Sequence, residues 1–315
     1  MSASPATAAV FELTPRGPYS LAASAAFLEG FTPASHPGAR DGHLHLAFVA
    51  DGGELPVGVC VREGSGRVTG EVAGRADSAV VAAQVGRILS LDLDGGGYAE
   101  VGRRDPVVAR LQASYPGLRP VLFWSPCEAA AWALLSHRLR MTQAAGLKRR
   151  LAERLGHPVQ IHGDTLHAFP APGRLARLDG DGVPGLPDAK LQRLRALGEA
   201  ALAGRLDAAR LRAVPAEQAL AALRRLPGVG DFSAELILLR GAGEPDWIST
   251  HEPRLRHAVA LAYGLERDPD DARLRRVADA WRPFRTWVSV LIRSWFGQGA
   301  PALGGAGPGR TATPT

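Results

Sequence analysis

The sequence predicts an α+β protein: an N-terminal antiparallel β-sheet with a covering helix, followed by an all-α domain. Three observations lead there. Period-two apolar alternation is confined to the first hundred or so residues. Helical periodicity runs from 125 to about 298. A Gly/Pro/Thr-rich stretch then continues to Thr315.

In the N-terminal part, HLHLAFV (43–49) alternates and reads as a strand. VGVCVRE and RVTGEVA, joined by GSG, read as a hairpin with a short glycine turn. SAVVAAQVGRILSL (78–91) carries apolar residues at helical spacing and supplies the covering helix, and LDLDGGGY (91–98) is loop-like.

Helices then follow one another. Ser125 is placed to cap the first, with Pro126 at its first position and Glu128 at the capping-box position. Met141–Leu155 is the next, and HAFPAPGRLARL (167–178) has a proline break before a short helix. LPDAKLQRLRALGEAALAG, DAARLRAV and AEQALAALRR lead to DFSAELILLRG, EPRLRHAVALAYG, DARLRRVADAW and PFRTWVSVLIRSWFG. The expected division is a sheet-and-helix domain over 1–123, an all-α domain over 124–298 and a disordered tail over 299–315.

Composition narrows the class. Of 315 residues 46% are hydrophobic, enough for more than one core. No apolar run reaches the roughly 18 residues of a membrane span. The first residues lack the basic and apolar regions of a secretory signal, so the expected location is cytoplasmic, with no membrane partner. Two cysteines, Cys60 and Cys127, exclude a disulfide scaffold, a four-cysteine zinc site and an iron–sulfur cluster. The net charge of +6 is carried almost wholly by arginine, whose planar fork fits phosphate oxygens. A polyanionic partner is one reading; the arginine content of a GC-rich coding sequence is the other.

The tightest turn lies in RRLPGVGDFSAEL (224–236). LPGVG between two helices is a helix–hairpin–helix signature. Its glycines permit a turn that a Cβ would block. The helix starting near Asp231 aims its unpaired amides and positive dipole end at the turn. That geometry suits a backbone phosphate and reads no base sequence. A plain helix–helix connection would explain the glycines too.

From Leu226 onward the sequence resembles the helix–hairpin–helix DNA glycosylases, most closely their alkylated-base (3-methyladenine, type II) branch. SPCEAAAWALLSHRLRMTQAAGLKRRLAERLG, FPAP, GLPDAKLQRLRALGEAALAGRLD, LPGVGDFSAELILLRG, DWISTHEPRLRHAV and WRPFRTW carry the resemblance, which covers most of the chain. It implies a monofunctional DNA N-glycosylase of base-excision repair that flips a damaged, alkylated purine and hydrolyses its N-glycosidic bond. Double-stranded DNA is the implied partner, the protein a monomer, and no cofactor is required. Leu226, Gly228, Val229, Gly230 and Asp231 would bind DNA. The carbonyls of Arg224, Leu226 and Val229 would hold a monovalent cation.

The resemblance puts the essential carboxylate at Glu252, where relatives carry aspartate. Cleavage builds oxocarbenium-like charge that a nearby carboxylate stabilises. The bland reading makes Glu252 a helix N-terminal acid, with Thr250 capping and Pro253 early in the helix. His251 is a proton donor, a phosphate contact or a polar surface residue. No lysine lies between Leu226 and Glu252, which argues against a Schiff-base lyase step. Phe232, Leu236, Arg293 and Trp132 fall at pocket positions, although Phe232 equally fits the core and Trp132 is also an ordinary core candidate. Arg293 there would repel a cationic base. Trp124, Trp247, Trp281 and Trp287 read as core. Ser136-His137-Arg138 occupies the place of the loop that fills the hole left by the extruded base. Arg138 would stack there or contact phosphate, with His137 beside it. Arg140, Lys148, Lys190, Arg254 and Arg256 are basic residues for the same face, or for a solvated one. The rival functions are a non-catalytic DNA-structure or lesion-binding protein that kept the fold, and a helical scaffold for protein partners.

Overall fold

The computed structural model describes residues 9–33, 38–179, 183, 185–300 and 303, so most of the expected tail lies outside the described residues. β1 (Ala9–Leu13) leads to α1 (Leu21–Gly30), then β2 (Ala39–Arg40), β3 (His43–Val49), β4 (Pro56–Gly64), β5 (Arg67–Ala73) and α2 (Ser78–Ile88). The strands form one antiparallel sheet in the order β1-β5-β4-β3-β2. The β4–β5 turn is Ser65-Gly66, both at positive φ (52° and 73°), as the tightest hairpin turns require.

Leu44, Leu46 and Phe48 of β3 and Val57, Val59 and Val61 of β4 point to one face and pack on α1 and α2. Five central residues of β3 are buried in succession, so the in–out alternation expected of a half-exposed strand does not hold. The second face is covered by a hairpin that the sequence reading had absorbed into the helical part. It comprises β6 (Pro158–Ile161) and β7 (Asp164–His167), turning through His162-Gly163. Val159 and Ile161 pack so closely on β4 that a Cβ at Gly58 would meet them at 2.5–2.6 Å. The region after Trp124 is therefore helical with one inserted hairpin. Four-residue strands are too short to announce themselves by period.

Two short helices follow α2: α3 (Tyr98–Arg104) and α4 (Pro106–Ser114). Asp105 caps α4 and its other oxygen accepts from Tyr263 Oη at 2.5 Å and Trp281 Nε1 at 3.2 Å. Residues 98–118, grouped by sequence with the sheet, share one hydrophobic cluster with the last helices of the chain, through Val101, Val108, Leu111 and Leu118.

α5 (Pro126–Ser136) starts at Ser125, whose Oγ accepts from the Glu128 amide at 3.1 Å, a cap worth about 1 kcal/mol. The Glu128 carboxylate does not return to the Ser125 amide; it pairs with Lys148 at 2.6 Å. Then come α6 (Met141–Leu155), α7 (Pro172–Ala176), α8 (Asp188–Leu202), α9 (Ala208–Arg212), α10 (Ala216–Leu223) and α11 (Asp231–Leu236). α11 continues as a π-helical turn over Ile237–Ala242. α12 (Pro253–Tyr263), α13 (Asp271–Asp279) and α14 (Arg285–Gly297) complete the fold. Among the described residues, no helix is long and apolar enough to cross a membrane.

The π-helical turn is tied to the segment that leaves the sheet. Phe123 N–H donates to the Arg240 carbonyl at 2.8 Å, and the Arg240 guanidinium returns a bond to the Val121 carbonyl at 2.7 Å. Arg87 of α2 donates to the Gly241 carbonyl at 3.0 Å and to Asp51 at 2.6 Å. These bonds fix the start of the sheet's helix layer against α11.

Candidate functional site

The hairpin joins α10 to α11 through Leu226–Gly230. Leu226 and Val229 are buried and pin the turn into the helical core, and the Val229 amide donates to the Leu226 carbonyl at 3.1 Å. Gly228 sits at φ +82°, and a Cβ there would meet Arg193 Cδ at 2.7 Å and Leu134 Cδ2 at 3.0 Å. Gly230 differs. Its φ of −94° is open to any residue and nothing lies within 4 Å of a Cβ built on it. Gly228 is thus demanded by the turn. Gly230 leaves the surface above the turn bare.

Gly230 caps α11 without a side-chain bond, so the first-turn amides of α11 face outward with no intrahelical acceptor. Asp231 opens the helix and pairs with Arg224 at 2.6 Å, joining the two helix ends; that guanidinium holds the Asp231 carboxyl below the usual range. Phe232, read as pocket or core, is 45% exposed and so is not core.

The His137-Arg138 turn lies beside the hairpin. His137 Nε2 is 3.3 Å from Ser233 Oγ on α11. Lys190 Nζ donates to the Leu135 and His137 carbonyls, closing the end of α5. Burial, then the charges of Arg193, Lys190 and Arg138, lower the His137 pKa. Arg138 is exposed at φ +58°, a left-handed conformation uncommon for arginine. Leu139 and Met141, 38% and 37% exposed, extend this rim as apolar residues that sequence reasoning missed.

Of the basic residues expected on this face, three are committed inside the molecule. Lys148 pairs with Glu128 and lies over the Phe169 ring. Lys190 holds the end of α5. Arg256 donates to the Thr250 and Pro269 carbonyls and pairs with Asp271. Arg140 and Arg254 are exposed. Lys148 and Lys190 are also the chain's only lysines, so neither is available as an amine nucleophile.

Glu252 immediately precedes α12, the position the helix-acid reading gives it, and makes no side-chain capping bond; Thr250 is buried and does not cap. Glu252 Oε1 instead accepts from Arg293 Nε of α14 at 2.6 Å. Arg240 completes the group. It lies over the rings of Phe27 and Phe31 at 5.2 and 4.8 Å. Burial lowers its pKa to about 10, with Glu252 opposing and Arg293 adding to that effect. Phe31 also stacks edge-on to Phe123 at 5.3 Å and joins Trp132 and Leu236 in one apolar cluster. The expected pocket residues Trp132 and Leu236 therefore meet, together with Phe31, which follows α1 and stacks on Phe27 of that helix; sequence reasoning missed both phenylalanines. Their i, i+4 spacing was the available signal.

Glu235 was also missed. This buried carboxylate on α11 accepts from Ser249 Oγ at 2.6 Å and Trp247 Nε1 at 3.4 Å, and pairs with His251 Nδ1 at 3.1 Å. One side chain thus fastens the whole loop leading to Glu252 onto the hairpin helix. His251, read as a proton donor, a phosphate contact or a surface residue, is half-exposed and held by Glu235.

No family model matches the chain. It is 33% identical over 218 residues to the probable bifunctional transcriptional activator/DNA repair enzyme AlkA of Mycobacterium tuberculosis, covering 68% of this chain and 42% of that protein. The chain thus spans less than half the length of that relative. With DNA-3-methyladenine glycosylase 2 of Escherichia coli it shares 29% identity over 196 residues, 61% of this chain and 64% of the other. Among solved structures, the 3-methyladenine DNA-glycosylase of Archaeoglobus fulgidus superposes with a TM-score of 0.75 at 20% identity, over 93% of this chain and 100% of that one.

Proposed function

This chain belongs to the helix–hairpin–helix DNA glycosylase superfamily, in its 3-methyladenine glycosylase II branch, and on that premise we propose that it excises alkylated purines from double-stranded DNA as a monofunctional N-glycosylase. The observation that carries this reading is the Glu235 link. It couples a hairpin with outward amides to the loop that presents Glu252.

The hairpin amides and α11 dipole take a DNA backbone phosphate, with bare Gly230 leaving room for the close approach. The carbonyls of Arg224, Leu226 and Val229 are hard oxygen donors that suit a monovalent cation between turn and phosphate; the Leu226 oxygen keeps a second lone pair beside its bond from Val229. Arg138, with Leu139 beside it, enters the gap left by the extruded base. The base lies against the apolar cluster of Phe31, Trp132 and Leu236. As the glycosidic bond breaks, the Glu252 carboxylate offsets the positive charge growing on the sugar, and water completes hydrolysis. Without a lysine in reach, no Schiff base forms and the strand is left intact.

Arg293 and Arg240 together outweigh Glu252 by one positive charge. That balance works against a base with fixed positive charge and favours neutral alkylated purines. Purified protein incubated with duplexes bearing single defined lesions should release free base and leave alkali-labile abasic sites. Salt-dependent duplex binding without base release on any lesion would refute the enzyme reading.

A further inference from the structure

Away from the hairpin, the sheet carries a second chemical cluster. His43 and His45 stand two apart on β3 and so project from the same face. Cys60 of β4 is the direct cross-strand partner of His45, and Glu71 of β5 is the direct partner of Cys60. His162 reaches the same place from the β6–β7 turn. One imidazole nitrogen from each histidine and the Cys60 Sγ all lie within 4.8 Å of one another. From this geometry we propose that His43, His45, Cys60 and His162 bind a divalent cation of the zinc class.

The donor set argues for that ion. Three imidazoles and a thiolate suit a borderline-soft, tetrahedral d10 metal and suit calcium or magnesium poorly. Bonds of about 2.0–2.3 Å put tetrahedral ligand atoms roughly 3.3–3.8 Å apart, so the cluster need contract by only about 1 Å. The surroundings orient the rings as metal-bound histidines require. His45 Nδ1 meets Asp164 Oδ2 at 2.8 Å, and the tautomer donating there carries its lone pair on Nε2. His162 Nε2 lies 3.3 Å from Glu71 Oε2, a carboxylate placed to hold that ring from outside the cluster. Binding displaces the Cys60 thiol proton to solvent. Cys60 and His45 are buried, and four protein ligands close the site, so its role is structural. The cysteine count excludes a four-cysteine site but not this mixed one.

The consequence is mechanical. The ligands come from β3, β4 and the hairpin between α6 and α7. The ion therefore clips that hairpin to the sheet, beside the contact that Gly58 makes with Val159 and Ile161.

The test uses the full chain, purified without chelator and analysed for metal, then stripped and titrated with Co2+ and Zn2+. About one equivalent of zinc is expected. Co2+ should give a tetrahedral visible spectrum with a thiolate charge-transfer band, and that band should vanish in Cys60→Ala. His162→Asn sits in an exposed turn at φ 45°, which asparagine tolerates, so this variant folds. It should lose more affinity than the roughly 10–100-fold that removal of an outer partner costs. A folded wild-type chain that neither carries zinc nor gives the Co2+ band overturns the proposal. So does a band that survives in Cys60→Ala, or a His162→Asn affinity equal to wild type.

Discussion

Arg293 Nε donates to Glu252 Oε1 across 2.6 Å, joining the last helix to the residue that opens α12. Glutamate has one more methylene than aspartate, and its extra freedom is removed by this bond. Arg293→Leu should therefore slow base release by about 10–100-fold on neutral lesions, the scale expected of a displacement near 1 Å. Duplex affinity should hardly change. The ratio of activity on 7-methylguanine to that on a neutral lesion should rise, because one positive charge has left the site. Single-turnover assays on the two lesions measure both effects.

Glu235 makes a different prediction. Its two oxygens serve Ser249, Trp247 and His251, so Glu235→Gln replaces one acceptor by a donor in a buried place. Such a mismatch costs about 1–3 kcal/mol. The melting temperature should fall, and single-turnover base release should fall further than stability alone explains, because the Glu252 loop loosens. Unchanged chemistry in a destabilised protein would make Glu235 a purely structural residue.

The two hairpin glycines should separate. Gly228→Ala meets both a left-handed φ and the Arg193 and Leu134 side chains, so it should destabilise the fold by about 1–3 kcal/mol. Gly230→Ala meets neither. It should melt as wild type does and yet bind duplex DNA more weakly, whatever the sequence, because its methyl stands where phosphate approaches.

His137 gives the pH dependence. Its pKa in the folded chain lies below the ordinary 6.5, so the unfolded chain binds the extra proton more readily. The stability it contributes is complete above about 6.5 and is lost as pH falls toward the folded value. Thermal melts of wild type should drop on acidification through this window, and His137→Gln should drop less. A DNA phosphate nearby reverses the sign for binding: wild-type duplex affinity should rise more steeply than that of the variant as pH falls below 6.5.

Much of this was legible in the chain. The 3.6-residue period placed α6, α8 and α12 almost to the residue, and LPGVG marked the turn in which Gly228 is left-handed. The resemblance, rather than any local pattern, put the carboxylate at Glu252. What stayed hidden depends on contacts distant in sequence. Lys148 and Lys190 look like surface charges until Glu128 and two helix-end carbonyls claim them. PVQI and DTLH are strands only because β4 presents Gly58 to receive them. Phe27 and Phe31 reach Arg240 because α1 is carried there by the sheet, which no local pattern encodes. The ion pair of Glu252 with Arg293 spans 41 residues and rests on how α12 and α14 pack.

The most direct test compares wild type with Glu252→Gln for release of free base from a duplex carrying one alkylated purine, under single-turnover conditions. The amide keeps size and hydrogen-bonding reach and removes the charge. The expected result is a rate at least about 100-fold lower with duplex affinity preserved; equal rates in the two proteins would contradict the account.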